Sequence, residues 1–267
     1  MMGRFFTKVL VICLTMLIAF PAGANIVERS FLFHFDRTPH RPENIGLPEM
    51  QVMNFQRLVL WVHKPEAGKP SVLYFHGNAG NLASRRDRFR AFIDKGYGVV
   101  AMAYPGSTGS KGRQDGRVIQ QLANSLMATM GRIVGDSPVV VYGESLGTGV
   151  AIQAVASAQS APPAGVVLEA PYTSIHDLAR TYVPKIANAV TKIPDPWPSE
   201  QYVGALTMPL LVMHGTADAV IPYAMGEAMF TAAPSNDKRF VNPRGGAHDN
   251  LWGLGGKAAL FEFLAKF

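Results

Sequence analysis

Five short apolar runs, at 72–75, 98–103, 139–142, 166–168 and 210–213, punctuate the chain between turn-forming residues, and a longer stretch at 51–62 alternates apolar with polar positions. Runs of this length rich in β-branched residues read as strands. The intervening segments 82–95, 116–130, 146–158, 175–190, 223–232 and 250–266 carry helix-like composition and spacing. A strand that is apolar along its whole length has to be covered on both faces, and strands alternating with helices meet that need in one way. The pattern therefore predicts a doubly wound α/β domain, with a mostly parallel twisted sheet and helices on both faces.

In such sheets reactive groups gather beyond the carboxyl ends of the strands. The residues that follow the apolar runs are "HGNAGN" at His76, "YPGSTGS" at Tyr104, "GESLGTG" at Gly143, "EAPYTS" at Glu169 and "HGTADAVIP" at His214. Ser145 lies between Gly143 and Gly147, at a strand-to-helix turn, in the G-x-S-x-G spacing of a nucleophile elbow. There a sharp bend lifts a hydroxyl above the sheet, and the helix that follows aims the Leu146 N–H at a developing oxyanion. Gly143, Gly147 and Gly149 also fit a dinucleotide-binding turn, with Glu169 placed to hold a ribose. That arrangement resembles the short-chain dehydrogenases, in which, however, the turn follows the first strand and a tyrosine precedes a lysine by four residues; no tyrosine here does so.

A serine hydroxyl needs a base, and the base needs an orienting acid. His176, His214 and His248 lie downstream of the serine. His248, in the glycine-rich "NPRGGAHDN" ahead of the last helix, is best placed to reach back across the sheet, while His214 reads as a structural strand-end residue and His176 lies in a variable region. Asp218 follows the 210–213 strand and is the first candidate acid, with capping of the next helix as its bland alternative; Glu169, which ends the preceding strand, is the second. The Asn78 N–H supplies a further oxyanion donor, His76 fixes its loop, and Asn81 caps the next helix.

The first residues follow different rules. "MMGRFFTK", the apolar run 9–20 and the small residues Ala22 and Ala24 make the layout of a secretory signal peptide over residues 1–24, cleaved after Ala24, leaving a single domain at 25–267. An uncleaved membrane anchor is the alternative, although the run is short for a bilayer span. Export to a periplasm or medium, or anchoring by this segment, is the expected localisation. Cys13, the only cysteine, falls inside the run, so the mature chain would have no disulfide and no thiolate chemistry. Loss of Arg4 and Lys8 lowers the net charge from +6 to +4. The densest basic cluster, "SRRDRFR" at 84–90, reads as a solvated helix face, and no nucleic-acid partner is expected.

Taken together, "LYFHGNAGN", "GESLGTGVA", "HGTADAVIP" and "GGAHDN" make the chain from about Gln51 to Phe267 resemble the α/β-hydrolase superfamily. The resemblance is to its single-domain branch of depalmitoylase-like, serine aminopeptidase-like and monoacylglycerol lipase-like proteins. It implies an α/β-hydrolase fold with a small cap after the sixth strand, at about 172–207, a triad of Ser145, Asp218 and His248, and oxyanion donors at Asn78 and Leu146. It implies a serine esterase or thioesterase with no cofactor and no metal, acting on a small-molecule acyl substrate, and touching membrane only through the leader or a lipid-like substrate. An acyltransferase or a peptidase would use the same residues, and a binding protein on this fold would usually lack one of them. Tyr172, Tyr182, Trp197 and Met225 are candidates to line an acyl pocket. Pro105 departs from the arginine that this branch often carries after the loop tyrosine.

Overall fold

A computed structural model describes residues 32–158, 161–185, 187–192 and 194–267. The expected leader lies outside the described residues. Among the described residues no helix is long and apolar enough to cross a membrane.

The strands are β1 Gln51–Phe55, β2 Leu58–His63, β3 Ser71–Phe75, β4 Gly98–Met102, β5 Val139–Glu144, β6 Gly165–Glu169, β7 Leu210–Met213 and β8 Lys238–Val241. They form one eight-stranded sheet in the order β8-β7-β6-β5-β3-β4-β2-β1. Every neighbouring pair from β4 to β8 is parallel, while β2 is antiparallel to both β1 and β4. This is the α/β-hydrolase architecture.

Alternation along the central strands decides which helices cover which face. Leu73, Phe75, Val141, Val166, Leu168 and Val212 join one buried cluster, with Ile119 of α2 (Gly116–Val134), Val150 of α3 (Leu146–Ser157) and Met229 of α7 (Tyr223–Ala232). Their sequence neighbours Val72, Tyr74, Val140, Tyr142, Val167 and Leu211 join the opposite cluster, with Phe89 and Phe92 of α1 (Arg86–Ile93) and Leu260 and Phe263 of α8 (Lys257–Leu264). A one-residue slip in any of these strands would exchange the two sets.

Several elements differ from the sequence reading for identifiable reasons. The stretch at 51–62 is a hairpin, because Gln56 takes a φ of 55° and turns the chain between β1 and β2. Strand β8 escapes the hydrophobic pattern because "KRFV" sits at the sheet edge with none of its residues fully buried. The helix expected at 175–190 ends after one short segment, α4 (Ile175–Tyr182); α5 (Ala187–Val190), α6 (Ser199–Tyr202) and the turn Val203–Ala205 follow, so the excursion after β6 is a set of short helical pieces. The last helix is kinked before α8, where Gly255 adopts a φ of 96°.

Candidate functional site

Strand β3 lies between β4 and β5, so the strand order reverses there and a crevice opens between their carboxyl ends. Gly143 of β5 pairs with Phe75 of β3 on one side and with Leu168 of β6 on the other. Ser145 follows Glu144, the last residue of β5, and stands at the N-cap position of α3 at φ 52° and ψ −117°, a conformation that L-residues rarely hold. Two contacts fix it: its N–H donates to the Glu169 carbonyl at 2.8 Å, and its own carbonyl accepts from the N–H and hydroxyl of Thr148 at 2.9 and 2.7 Å. Glycine at 147 is dictated by contact, since a Cβ there would lie 2.1 Å from the Phe75 carbonyl oxygen. Helix α3 thus crosses β3 at backbone distance. Leu146 is its first residue, where helix geometry offers the N–H no acceptor.

Two further loops converge on the serine. The loop after β7 and the loop ahead of the last helix touch at Gly215 and Gly246, where a Cβ on Gly215 would stand 2.1 Å from the Gly246 carbonyl oxygen. The N–H of Ala217 donates to that same carbonyl at 2.9 Å, and the N–H of Gly245 donates to the Thr216 hydroxyl at 2.9 Å. Laced together in this way, the loops deliver Asp218 and His248 side by side. His248 Nδ1 lies 2.8 Å from Asp218 Oδ2, and His248 Nε2 lies 2.9 Å from Ser145 Oγ. A carboxylate only accepts, so Nδ1 carries the proton and Nε2 is left to accept the serine hydroxyl proton.

Asp218 is held on every side. Its Oδ1 accepts the N–H groups of Val220 and Ile221, each at 2.8 Å, in the turn ahead of α7, whose own N-cap is Pro222 with no side-chain bond, so Asp218 does not cap that helix; Oδ2 remains for His248. His214, buried beneath it, has Nε2 3.0 Å from the Ile221 carbonyl and 3.4 Å from Asp218 Oδ2, so that nitrogen is the protonated one. Burial of the Asp218 side chain alone would raise its pKa, but the hydrogen bonds from His214 and His248 overcome this and hold the carboxyl well below the usual range. Burial of His248 works in the opposite sense, and the hydrogen bond and charge of Asp218 outweigh it, so the imidazole is raised above its ordinary value.

Glu169, the second candidate acid, is committed elsewhere. Its carboxylate accepts Arg88 Nη2 at 2.8 Å and is also bonded by Arg88 Nη1 and the Tyr142 hydroxyl. Asn78 sits in the 76–81 loop after β3, which is secured by a two-residue parallel pairing of His34–Phe35 with Ala79–Gly80. The Asn78 side chain accepts the His34 N–H at 3.2 Å. Asn81 caps the following turn, its Oδ1 accepting the N–H of Ala83 at 2.9 Å. His76 is fully buried with Nδ1 2.8 Å from the Gly77 carbonyl, and burial lowers its pKa to about 3. His176 is the second residue of α4, with its N–H on the Asp195 carboxylate. Where Pro105 stands in place of a charge, hydroxyls organise the loop: Tyr104 donates to the His76 carbonyl at 3.0 Å and Thr108 accepts the Leu82 N–H at 3.1 Å.

One sequence expectation is corrected here. The basic cluster is not a solvated face, because Arg85 and Arg88, three residues apart, both turn toward the carboxyl edge of the sheet. There they pair with Glu144 and Glu169, while Arg86 and Arg90 stay on the outside. With Ser145, His248 and their two glutamates, these arginines wall a cavity of about 270 Å³. None of Tyr172, Tyr182, Trp197 and Met225 lines that cavity. Tyr172 and Trp197 are buried under α3, against Gly149, with the indole N–H on Gln120. Met225 belongs to the core cluster, and Tyr182 lies exposed with its hydroxyl on the Ala219 carbonyl. Among the described residues no cluster of histidine, cysteine and acidic side chains could hold a metal ion.

Residues 66–202 and 198–252 match the profile of a protein family described as serine aminopeptidase, S33. Lysophosphatidylserine lipase ABHD12 of Danio rerio is 28% identical over 190 residues, 65% of this chain and 50% of that protein, so the chain spans about half the length of that relative. Protein bem46 of Schizosaccharomyces pombe is 27% identical over 273 residues, 91% of this chain and 90% of that one. Among solved structures, an esterase of Pyrococcus furiosus superposes with a TM-score of 0.66 at 14% identity, covering 88% of this chain and 97% of that one. The monoacylglycerol lipase of Paleococcus ferrophilus gives a TM-score of 0.60 at 18% identity over 78% and 98%. At such identities the last two speak to the fold.

Proposed function

The chain belongs to the α/β-hydrolases, within the family described as serine aminopeptidase, S33, and from that membership we propose that it is a serine hydrolase cleaving carboxylic ester or thioester bonds through an acyl-enzyme. The observation that carries this reading is the continuous hydrogen-bonded series from Ser145 Oγ through His248 to Asp218, at 2.9 and 2.8 Å.

The chemistry follows from the roles these groups can take. Ser145 Oγ attacks the acyl carbonyl carbon as its proton passes to His248 Nε2. The negative charge that forms on the carbonyl oxygen is met by the N–H groups of Leu146 and Asn78. Collapse of the tetrahedral intermediate breaks the bond to the leaving alcohol or thiol, which takes the proton from Nε2. Water then attacks the acylated serine, His248 again accepting and returning a proton, and free acid and Ser145 are regenerated. Asp218 stays ionised, holding the Nδ1–H tautomer and stabilising the transient imidazolium.

A relative named as lysophosphatidylserine lipase supports an acyl ester of a polar alcohol as the substrate class. The charged walls of the cavity beside Ser145 and His248 support a polar group on that side of the scissile bond. A fluorophosphonate probe should label the purified protein and fail on Ser145→Ala, and nitrophenyl esters of graded chain length should be hydrolysed by the native enzyme alone. Labelling and turnover that survive Ser145→Ala would place the nucleophile elsewhere and end this reading.

A further inference from the structure

The mechanism leaves Arg85 unused, yet this side chain joins two segments that carry the oxyanion donors. Its Nε and Nη2 donate to Glu144 at 3.1 and 2.8 Å, and Glu144 immediately precedes Ser145 and Leu146. From the other edge of the same guanidinium, Nη1 donates to the Ala79 carbonyl at 2.5 Å, to the Ser84 hydroxyl at 2.8 Å and to the Asn81 carbonyl at 3.3 Å. Ala79 follows Asn78 directly. On the opposite side of Asn78, a Cβ on Gly77 would come within 3.0 Å of Glu144 Oε1 and 3.2 Å of Arg85 Nη2, so the loop rests on the ion pair with no room to spare. The Tyr74 hydroxyl completes the carboxylate at 2.5 Å.

Resting on the serine-hydrolase reading above, we propose that Arg85, paired with Glu144, is a positioning residue that sets the spacing between the Asn78 and Leu146 N–H groups. Both partners are anchored by protein contacts, which suits them to positioning. Arg85 donates from Nε, Nη1 and Nη2 to protein oxygens, and each oxygen of Glu144 accepts at least one hydrogen bond. What remains is a rigid brace between two backbone segments that come from different strands. Only a planar fork can grip a carboxylate along one edge and carbonyls along the other; a lysine ammonium is a single point. Oxyanion donors act through placement, and a misplacement of about 1 Å costs on the order of 100-fold in rate.

The brace is tested by kinetics that separate ground state from transition state. Arg85→Lys should lower kcat about 10- to 100-fold on a nitrophenyl ester while KM stays within about twofold. Inhibition by an alkyl trifluoromethyl ketone, which mimics the tetrahedral adduct, should weaken by the same factor as kcat/KM. Gly77→Ala, which presses on the brace from the loop side without removing a charge, should give the same split, and thermal melts accompany each variant to confirm folding. Arg88→Met orphans a comparable buried glutamate without touching the 76–81 loop, and is the control for that lesion. An enzyme that is labelled at Ser145 but keeps native kcat in Arg85→Lys retains the hydrolase reading and loses the brace. So does one in which KM and kcat deteriorate together, or in which Arg88→Met reproduces the kcat-selective loss. Labelling that survives Ser145→Ala defeats the underlying reading instead, and the two failures are distinct.

Discussion

Asp218 and Glu169 both stand at the end of a strand beside the serine, and what separates them is the company each carboxylate keeps. Asp218 gives one oxygen to two backbone N–H groups and the other to His248, whereas Glu169 is closed off by Arg88 and Tyr142. Asp218→Asn should therefore lower kcat by about three to four orders of magnitude through the wrong imidazole tautomer. Glu169→Gln should cost about 3 kcal/mol of stability by stranding Arg88, with much smaller kinetic effect, as urea melts and ester kinetics would read side by side. Because Asp218 holds the His248 imidazole above its ordinary value near 6.5, and only the neutral form is a base, kcat/KM should rise with pH through an apparent pKa above that value. Asp218→Asn should move the inflection downward. Sequence alone ranked Asp218 ahead of Glu169 but could not show what occupies Glu169, because that contact comes from an arginine 81 residues away from it in the chain.

At the scale of elements, the packing of α3 on β3 is the contact that the site can least spare. Gly147→Ala would drive a methyl into the Phe75 carbonyl and should destabilise the protein by at least about 2 kcal/mol in denaturant titration. Gly131→Ala, on the exposed side of α2 with nothing within 4 Å of the new Cβ, should stabilise it by about 0.5–1 kcal/mol. The strands that carry these elements were legible in the sequence because their buried faces forced unbroken apolar runs; 210–213 and the helix 223–232 fall where the pattern put them. Strand β8 was not, because an edge strand that is half in water need not be apolar. Nor were the roles of Arg85 and Arg88. A run of four arginines in seven residues reads as surface until the helix is placed, and the spacing of three that turns two of them inward has meaning only opposite Glu144 and Glu169.

For the whole molecule, two histidines give stability a maximum in pH. His248 is raised in the folded protein, so its contribution is fully present below the unfolded value near 6.5 and is lost as pH climbs through the folded one. His76 is lowered to about 3 by burial, so its contribution is present above about 6.5 and is lost as pH falls toward 3. Glu144 and Asp218, both depressed, add to the acid loss below the ordinary carboxylate range. Urea midpoints between pH 4 and 9 should peak near the ordinary histidine value, and His248→Ala should remove the decline on the alkaline side alone. If the proposed reading holds, turnover through a neutral His248 should then be fastest on the alkaline flank of that peak.

The bend at residue 145 adds one more consequence. Holding a side chain at φ 52° stores about 1–3 kcal/mol, against about 0.5–1 kcal/mol for the extra freedom that glycine would bring to the unfolded chain. Ser145→Gly should accordingly melt at a higher temperature than the native protein while turning over nothing, and Ser145→Ala, which keeps its Cβ, should not. With Ser145 as the proposed nucleophile, heat resistance and reactivity should pull on this one position in opposite directions, and a selection for durability alone should discard the hydroxyl before it touches the core.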